Sequence, residues 1–294
     1  MSGVTDGTAI AAPPAAESSS AVDARKLRRR ESMLLMAMAI VGILLEAPIA
    51  LALKSPASSY PNPWIAIIGV ASILACLVPW VLRLNCGLGL PGAPLLSARL
   101  AGQEPPFRFR SLFRVAIVYA MSSIGAALGV ALVLVAVFVI FARLTHQPLP
   151  KIPAMQIAAG RLALVGLPVA IAAGVSEEIQ FRFVVFALFA AAAGLVLRDS
   201  SGLPSRSAFW IATLLQGYAF GMMHLVPVAA SMLKHRWPLL LGGLVMPQTW
   251  EGVILCRLYL KRGLEASILA HVMIDTIAFT LMTLGTLVSQ GAGH

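Results

Sequence analysis

The sequence is poor in charge. Only 12% of its 294 residues are Asp, Glu, Lys or Arg, and Asp and Glu together number 12. A soluble globular chain carries about 25% charged residues. With 59% hydrophobic residues and a mean hydropathy of +0.87, this deficit excludes an ordinary soluble enzyme. Several apolar runs pass the roughly 18 residues that mark a membrane-spanning helix, which a soluble protein with a large core would not contain. Cysteine is scarce as well. Cys76, Cys86 and Cys256 form no Cys-x-x-Cys pair, and their odd number argues against both a disulfide framework and a thiolate zinc site. The metalloprotease string His-Glu-x-x-His, the nucleophile string Gly-x-Ser-x-Gly and the phosphate-binding Walker loop are all missing. What the chain does have is basic residues. Its net charge is +10. These residues cluster at the ends of the apolar runs, the pattern of membrane orientation rather than of nucleic-acid binding.

Taken in order, residues 1–24 are rich in Ala, Ser and Pro and read as a disordered tail. The basic run Arg25, Lys26, Arg28, Arg29, Arg30 precedes the first apolar segment and places the N-terminus in the cytoplasm. That segment starts too late and runs too long for a cleavable signal peptide. Apolar segments are expected at about 32–53, 64–82, 115–142, 161–197, 207–225, 238–258 and 264–288. The stretch 83–114 carries five arginines against Glu104 and reads as a cytoplasmic loop with an interfacial piece. The connection 143–160 is expected outside. As one straight helix, 161–197 would be about 55 Å long against a hydrocarbon core of roughly 30 Å. It must tilt, kink or divide, with Pro168 and Gly174 as break points. Pro227 should lie just beyond the 207–225 segment, KHRW at 234–237 should mark a boundary, and Pro247 should bend the 238–258 segment. The expected fold is an all-α polytopic bundle of seven or eight membrane helices. It divides into a tail (1–30), N-terminal helices and loop (31–157) and a core (158–290). No internal repeat is visible, which counts against a transporter.

Five acids and two histidines fall inside apolar blocks: Glu46, Glu177, Glu178, Glu251, Asp275, His224 and His271. A charge at the centre of a membrane helix costs roughly 2.5–3.5 kcal/mol, so such residues either do chemistry or pair to hold helices together. Glu178 and Arg182 stand at i and i+4 with the acid N-terminal, the favoured order for an ion pair within a helix. That pair reads first as structural. Glu177 points about 100° away around the helix, so it serves another face, and general-base work is the reading favoured for it. Phe220 and His224 share one helix face, and His271 and Asp275 share another. Two histidines on separate segments beside Glu177 read as a site rather than as core residues. Glu46 and Glu251 stand near Pro48 and Pro247 with no motif around them and read as structural. The set Glu177, His224, His271, Asp275 allows three chemistries. It could activate water against a carbonyl, ligate zinc, or carry protons in a transporter.

The ordered strings Glu177-Glu178-x-x-x-Arg182, Phe220-x-x-x-His224 and His271-x-x-x-Asp275 resemble the CAAX protease and bacteriocin-processing (CPBP, or Abi) family. That family includes the eukaryotic type II CAAX prenyl endopeptidase. The run YLKRGLEASILAH, Tyr259 to His271, is similar to a bacterial branch. The resemblance covers about 158–290. It implies a helical intramembrane endopeptidase of the bacterial inner membrane. Its partners would be the lipid bilayer and a membrane-associated peptide or protein substrate. By motif, Glu177 would activate water and His224 would help hold it. Glu178 and Arg182 would support the site, with Phe220 beside them, and His271 and Asp275 would stabilise the oxyanion. No cofactor is implied, zinc being the alternative. The eukaryotic prenyl endopeptidases carry Asn where Asp275 stands. An Asn amide donates hydrogen bonds and an ionised Asp cannot. Asp275 must therefore be protonated, act only on His271, or take another part, and the difference argues against prenyl-CAAX specificity. A non-catalytic protein on the same scaffold, serving bacteriocin immunity or secretion, is the competing expectation.

Overall fold

The computed structural model describes residues 19–52, 63–145, 159–229 and 242–291. Apolar runs rich in Ala, Leu and Val become helices because a backbone away from water must satisfy its own N–H and C=O groups. In chain order the helices are α1 (Ser19–Ala52), α2 (Pro63–Gly87), α3 (Pro94–Leu100), α4 (Phe109–Thr145), α5 (Ala159–Glu178), α6 (Phe186–Gly194), α7 (Arg206–Ala229), α8 (Pro247–Arg262) and α9 (Leu264–Gly291). A π-helical segment, Ile179–Val185, joins α5 to α6 without a break. Among the described residues there is no strand, only an isolated bridge between Arg198 and Pro204. Among the described residues three stretches are long and apolar enough to cross a membrane: Val70–Gly87, Phe109–Ala136 and Leu264–Val288. Large apolar side chains on their outer faces, such as Leu132 on α4 and Leu281 on α9, are exposed. They are the surface that lipid would cover.

One end of the bundle is tied together by short polar contacts, and it is the basic end. The α8–α9 turn is closed by Gly263 at φ 86°, where a side chain would also run into Pro94. Leu264 N–H donates to Gly92 O at 2.9 Å. Leu96 N–H donates to Glu265 Oε1 at 2.8 Å, and the Ser97 hydroxyl donates to Glu31 Oε1 at 2.7 Å. The loop after α2 and the short helix α3 are thus tied to α1 and to the start of α9. Cations complete the seam: Arg257 lies over Trp210, Lys261 over Tyr119 and Arg262 over Phe107. At the same end Asp199 organises the α6–α7 turn. Its Oδ1 accepts from Ser201 N, Ser201 Oγ and Leu203 N. The Ser201 hydroxyl, with these amides, holds the Asp199 carboxyl below the usual carboxylate range.

The structure departs from several expectations. The basic run at 25–30 belongs to α1, which begins at Ser19. Neither Pro168 nor Gly174 ends α5. The backbone instead changes to π geometry directly after Glu178, and the extra residue per turn re-aims the side chains that follow. Pro227 lies inside α7, not beyond it. Pro247 does not bend a helix. It opens α8 at the first helical position, where its missing N–H costs nothing. Against the expectation that no Gly-x-Gly-x-x-Gly string is present, Gly87-Leu88-Gly89-Leu90-Pro91-Gly92 spells one, but it follows a helix rather than the strand that dinucleotide binding requires. KHRW and most of 143–160 lie outside the described residues, as does the side chain of Glu46.

Candidate active site

Two close helix approaches build the site. A side chain at Gly174 would meet Val272, so α5 and α9 touch one turn before Glu178 and directly beside His271. A side chain at Gly221 would overlap Thr249, so α7 and α8 touch beside Phe220. Small residues at such crossings let backbones approach, and polar side chains one turn away then meet.

Glu178 is fully buried and has three partners. Its Oε1 lies 3.0 Å from Arg182 Nη1 and accepts from His271 Nδ1 at 2.7 Å. Its Oε2 accepts a short hydrogen bond from the Ser267 hydroxyl. The expected Glu178–Arg182 pair is therefore present, but Glu178 does more than neutralise Arg182. It fixes the His271 ring from α5. Arg182, also fully buried, makes no aligned hydrogen bond with its guanidinium among the described residues. Charge and ring contact hold it instead, its guanidinium carbon lying 4.4 Å from the centroid of the Phe220 ring. Phe220 is the apolar hub. Its ring also meets His224 at 4.8 Å and His271 at 5.8 Å, both edge to face.

On the other side of His271 the arrangement is open. Its Nε2 is 3.8 Å from Glu177 Oε2, 3.7 Å from Glu251 Oε1 and 3.6 Å from Asp275 Oδ2. Glu177 Oε2 is also 4.0 Å from His224 Nε2. His224 Nδ1 is 2.9 Å from Phe220 O. A neutral ring that donates there leaves Nε2 as an acceptor facing Glu177. The side chains of Glu177, Glu251, Asp275 and His224 are 14%, 12%, 23% and 31% exposed, against 0% for Glu178 and Arg182. The structure thus brings together Glu177, Glu178, Arg182, Phe220, His224, His271 and Asp275.

It also adds two residues that the motifs did not include. Glu251, read above as structural, reaches the same Nε2 from α8. Its Oε1 is buried and accepts no hydrogen bond from the described residues. Ser267, one turn before His271 on α9, bonds Glu178. The only sequence signal for Glu251 was an acid in an apolar block, and nothing in the sequence marked Ser267. Glu251, His271 and Asp275 each offer one ligand atom, all within 4.8 Å of one another. A cation bound here would take a different set from the one expected, with Glu251 in it and Glu177 and His224 outside.

Residues 159–277 match the family model described as Type II CAAX prenyl endopeptidase Rce1-like. The match contains every motif residue of the site. It agrees with the resemblance read from the three strings and makes this stretch similar to a family of intramembrane proteases. Comparison with curated proteins and with solved structures gave no match.

Proposed function

We propose that the protein is an intramembrane endopeptidase that hydrolyses a peptide bond of a membrane-associated peptide or protein by activating water between Glu177 and His224. The observation that carries this reading is the gathering of Glu177, Glu251 and Asp275 around His271 Nε2 at 3.6–3.8 Å. These separations are past direct hydrogen bonding, and at such gaps a shared water or substrate oxygen is the usual bridge. Glu177 Oε2 and His224 Nε2 are both acceptors that can hold a water, and the Glu177 carboxylate takes its proton as the water attacks the carbonyl. The negative charge that develops on the carbonyl oxygen needs a fixed donor. His271 supplies it from Nε2 in its imidazolium form, while Nδ1 continues to donate to Glu178. Glu251 and Asp275 flank that nitrogen. Asp275 acts through His271, and the proton that Glu177 takes from water passes on to the leaving amine, with Glu251 as a second carboxylate able to relay it. No residue in this scheme requires a metal, although Glu251, His271 and Asp275 are chemically able to hold one. The protein would sit in a bacterial inner membrane with the basic end of the bundle on the cytoplasmic side.

The test is hydrolysis of membrane-anchored peptides by the purified, reconstituted protein. Cleavage that disappears in Glu177→Gln and in His224→Ala supports the reading. Cleavage unchanged in Glu177→Gln overturns the role given to Glu177, and no cleavage by the parent protein would favour the non-catalytic role. Orientation is tested in a cysteine-free background with Gln103→Cys. This position should resist an impermeant thiol reagent added outside intact cells, and strong labelling would reverse the orientation.

A further inference from the structure

The α1–α2 contact changes character along its length. Deep in the bundle it is closed by Leu35, Ala39 and Ile43 against Leu74, Val78 and Val81, all buried. Towards the basic end the two helices form a half-open cavity of about 690 Å³. Its lining is two matching helix faces, each at i, i+3, i+4 and i+7: Arg25, Arg28, Arg29 and Ser32 from α1, and Pro79, Leu82, Arg83 and Cys86 from α2. Four of the eight lining residues are arginines and none is acidic. The acid next to this face, Glu31, is buried and accepts from Ser97 on α3, so it is turned away from the cavity. Asp23, one turn earlier on α1, is not among the lining residues. Trp80, beside Pro79 on α2, is 53% exposed. It stands two residues before the end of the apolar segment expected at 64–82, and exposed Trp at such a place is enriched at the headgroup level of a bilayer.

We propose that this cavity binds an anionic phosphate group, carried by a lipid headgroup or by a soluble phosphate. The volume suits a small polar ligand. Guanidinium forks on two helices match phosphate oxygens in a way that single surface charges do not. Basic pockets between membrane helices at headgroup depth are where anionic lipids are held. Orientation alone does not account for the arrangement, because the positive-inside effect depends on the number of charges near a segment end, not on their facing one cavity.

The test uses the full chain in neutral detergent, titrated with short-chain phosphatidylglycerol, short-chain phosphatidylcholine and inorganic phosphate. Phosphatidylglycerol should bind saturably and phosphatidylcholine weakly. Inorganic phosphate that competes identifies phosphate alone as the recognised group. Phosphatidylglycerol binding that phosphate does not displace identifies a lipid. Arg28→Gln with Arg83→Gln should weaken binding by on the order of tenfold per arginine. Arg198→Gln with Arg206→Gln removes the same charge elsewhere and should leave binding unchanged. Should the first pair fail to fold, Arg28→Lys with Arg83→Lys keeps the charge and removes the forks, and it should still bind more weakly. Binding that does not distinguish the two lipids, that survives loss of Arg28 and Arg83, or that falls equally in the control pair would overturn the proposal.

Discussion

The two nitrogens of His271 face two different environments. On the Nδ1 side, Glu178, Arg182 and Ser267 are buried, in contact and within bonding distance. On the Nε2 side, Glu177, Glu251 and Asp275 stand back by 3.6–3.8 Å and are partly exposed. The adjacent glutamates, one residue apart in sequence, fall on opposite sides of this division. A buried charge whose partners are all in place holds a structure together. A set of polar groups converging on a gap is arranged to receive something. The dry side positions the ring, and the open side presents it.

The largest effect that would break this comparison is on stability. Glu178→Ala leaves Arg182 buried without its carboxylate, a loss of about 3–5 kcal/mol by analogy with other broken buried pairs. A large fall in thermal midpoint and membrane yield is expected, and a midpoint equal to the parent's would erase the dry side. Next comes Glu177→Gln, which should lower peptidase activity by about 10²–10⁴-fold, the usual worth of a general base. Its thermal midpoint should stay close to the parent's, so a parallel loss of stability would put Glu177 on the dry side. Glu251→Gln sharpens the open side. A drop in activity of on the order of tenfold, about 1.4 kcal/mol of barrier, is expected with stability equal or improved, since a buried oxygen without a hydrogen bond is removed. Unchanged activity would return Glu251 to a structural role. With the same preparation, activity should survive a chelator. Loss in chelator with recovery on adding zinc would instead give Glu251, His271 and Asp275 to a metal.

The smallest effect lies far from the site. Hydrogen bonds hold the Asp199 carboxyl below its ordinary value of 3.8, so the α6–α7 turn gains stability from the ionised form. That contribution is complete above the ordinary value and is lost as pH falls through the depressed one. Amide exchange in 198–206 should quicken on acidification below about pH 4. The same quickening in Asp199→Ala at neutral pH would assign it to this carboxylate, and its absence there would assign it elsewhere.

Much of this was legible in the sequence, for physical reasons that differ by element. Long apolar runs leave helices as the sole economical backbone in lipid, so α2, α4, α7 and α9 follow from hydropathy. The candidate site residues Glu177, Glu178, Arg182, His224, His271 and Asp275 were visible because charges in apolar runs are costly and rare. Three features were hidden because they depend on contacts between segments or on backbone geometry. Glu251 looked like one acid beside a helix-bending proline. It joins the site only because Pro247 starts α8 and the glycine contact at Gly221 brings α8 against α7. The π segment was hidden too. Pro168 and Gly174 are the residues that break soluble helices, yet α5 absorbs both, and the backbone changes at Ile179, where no sequence rule points. The dual bonding of Glu178 was concealed by its neighbour Arg182, which by itself gave a sufficient account of the acid.

The division at His271 can be tested at that residue alone. An Asn amide nitrogen occupies roughly the place of Nδ1, and a Gln amide nitrogen roughly that of Nε2. His271→Asn should keep the bond to Glu178 and with it the thermal midpoint, while peptidase activity falls by about 10²-fold or more. His271→Gln should lose the bond to Glu178 and lower the midpoint, while retaining more activity than the Asn variant. Stability and activity measured side by side on these two proteins decide the matter. Opposite rankings of the two variants on the two measurements are the expected result, and the same ranking on both would contradict the account.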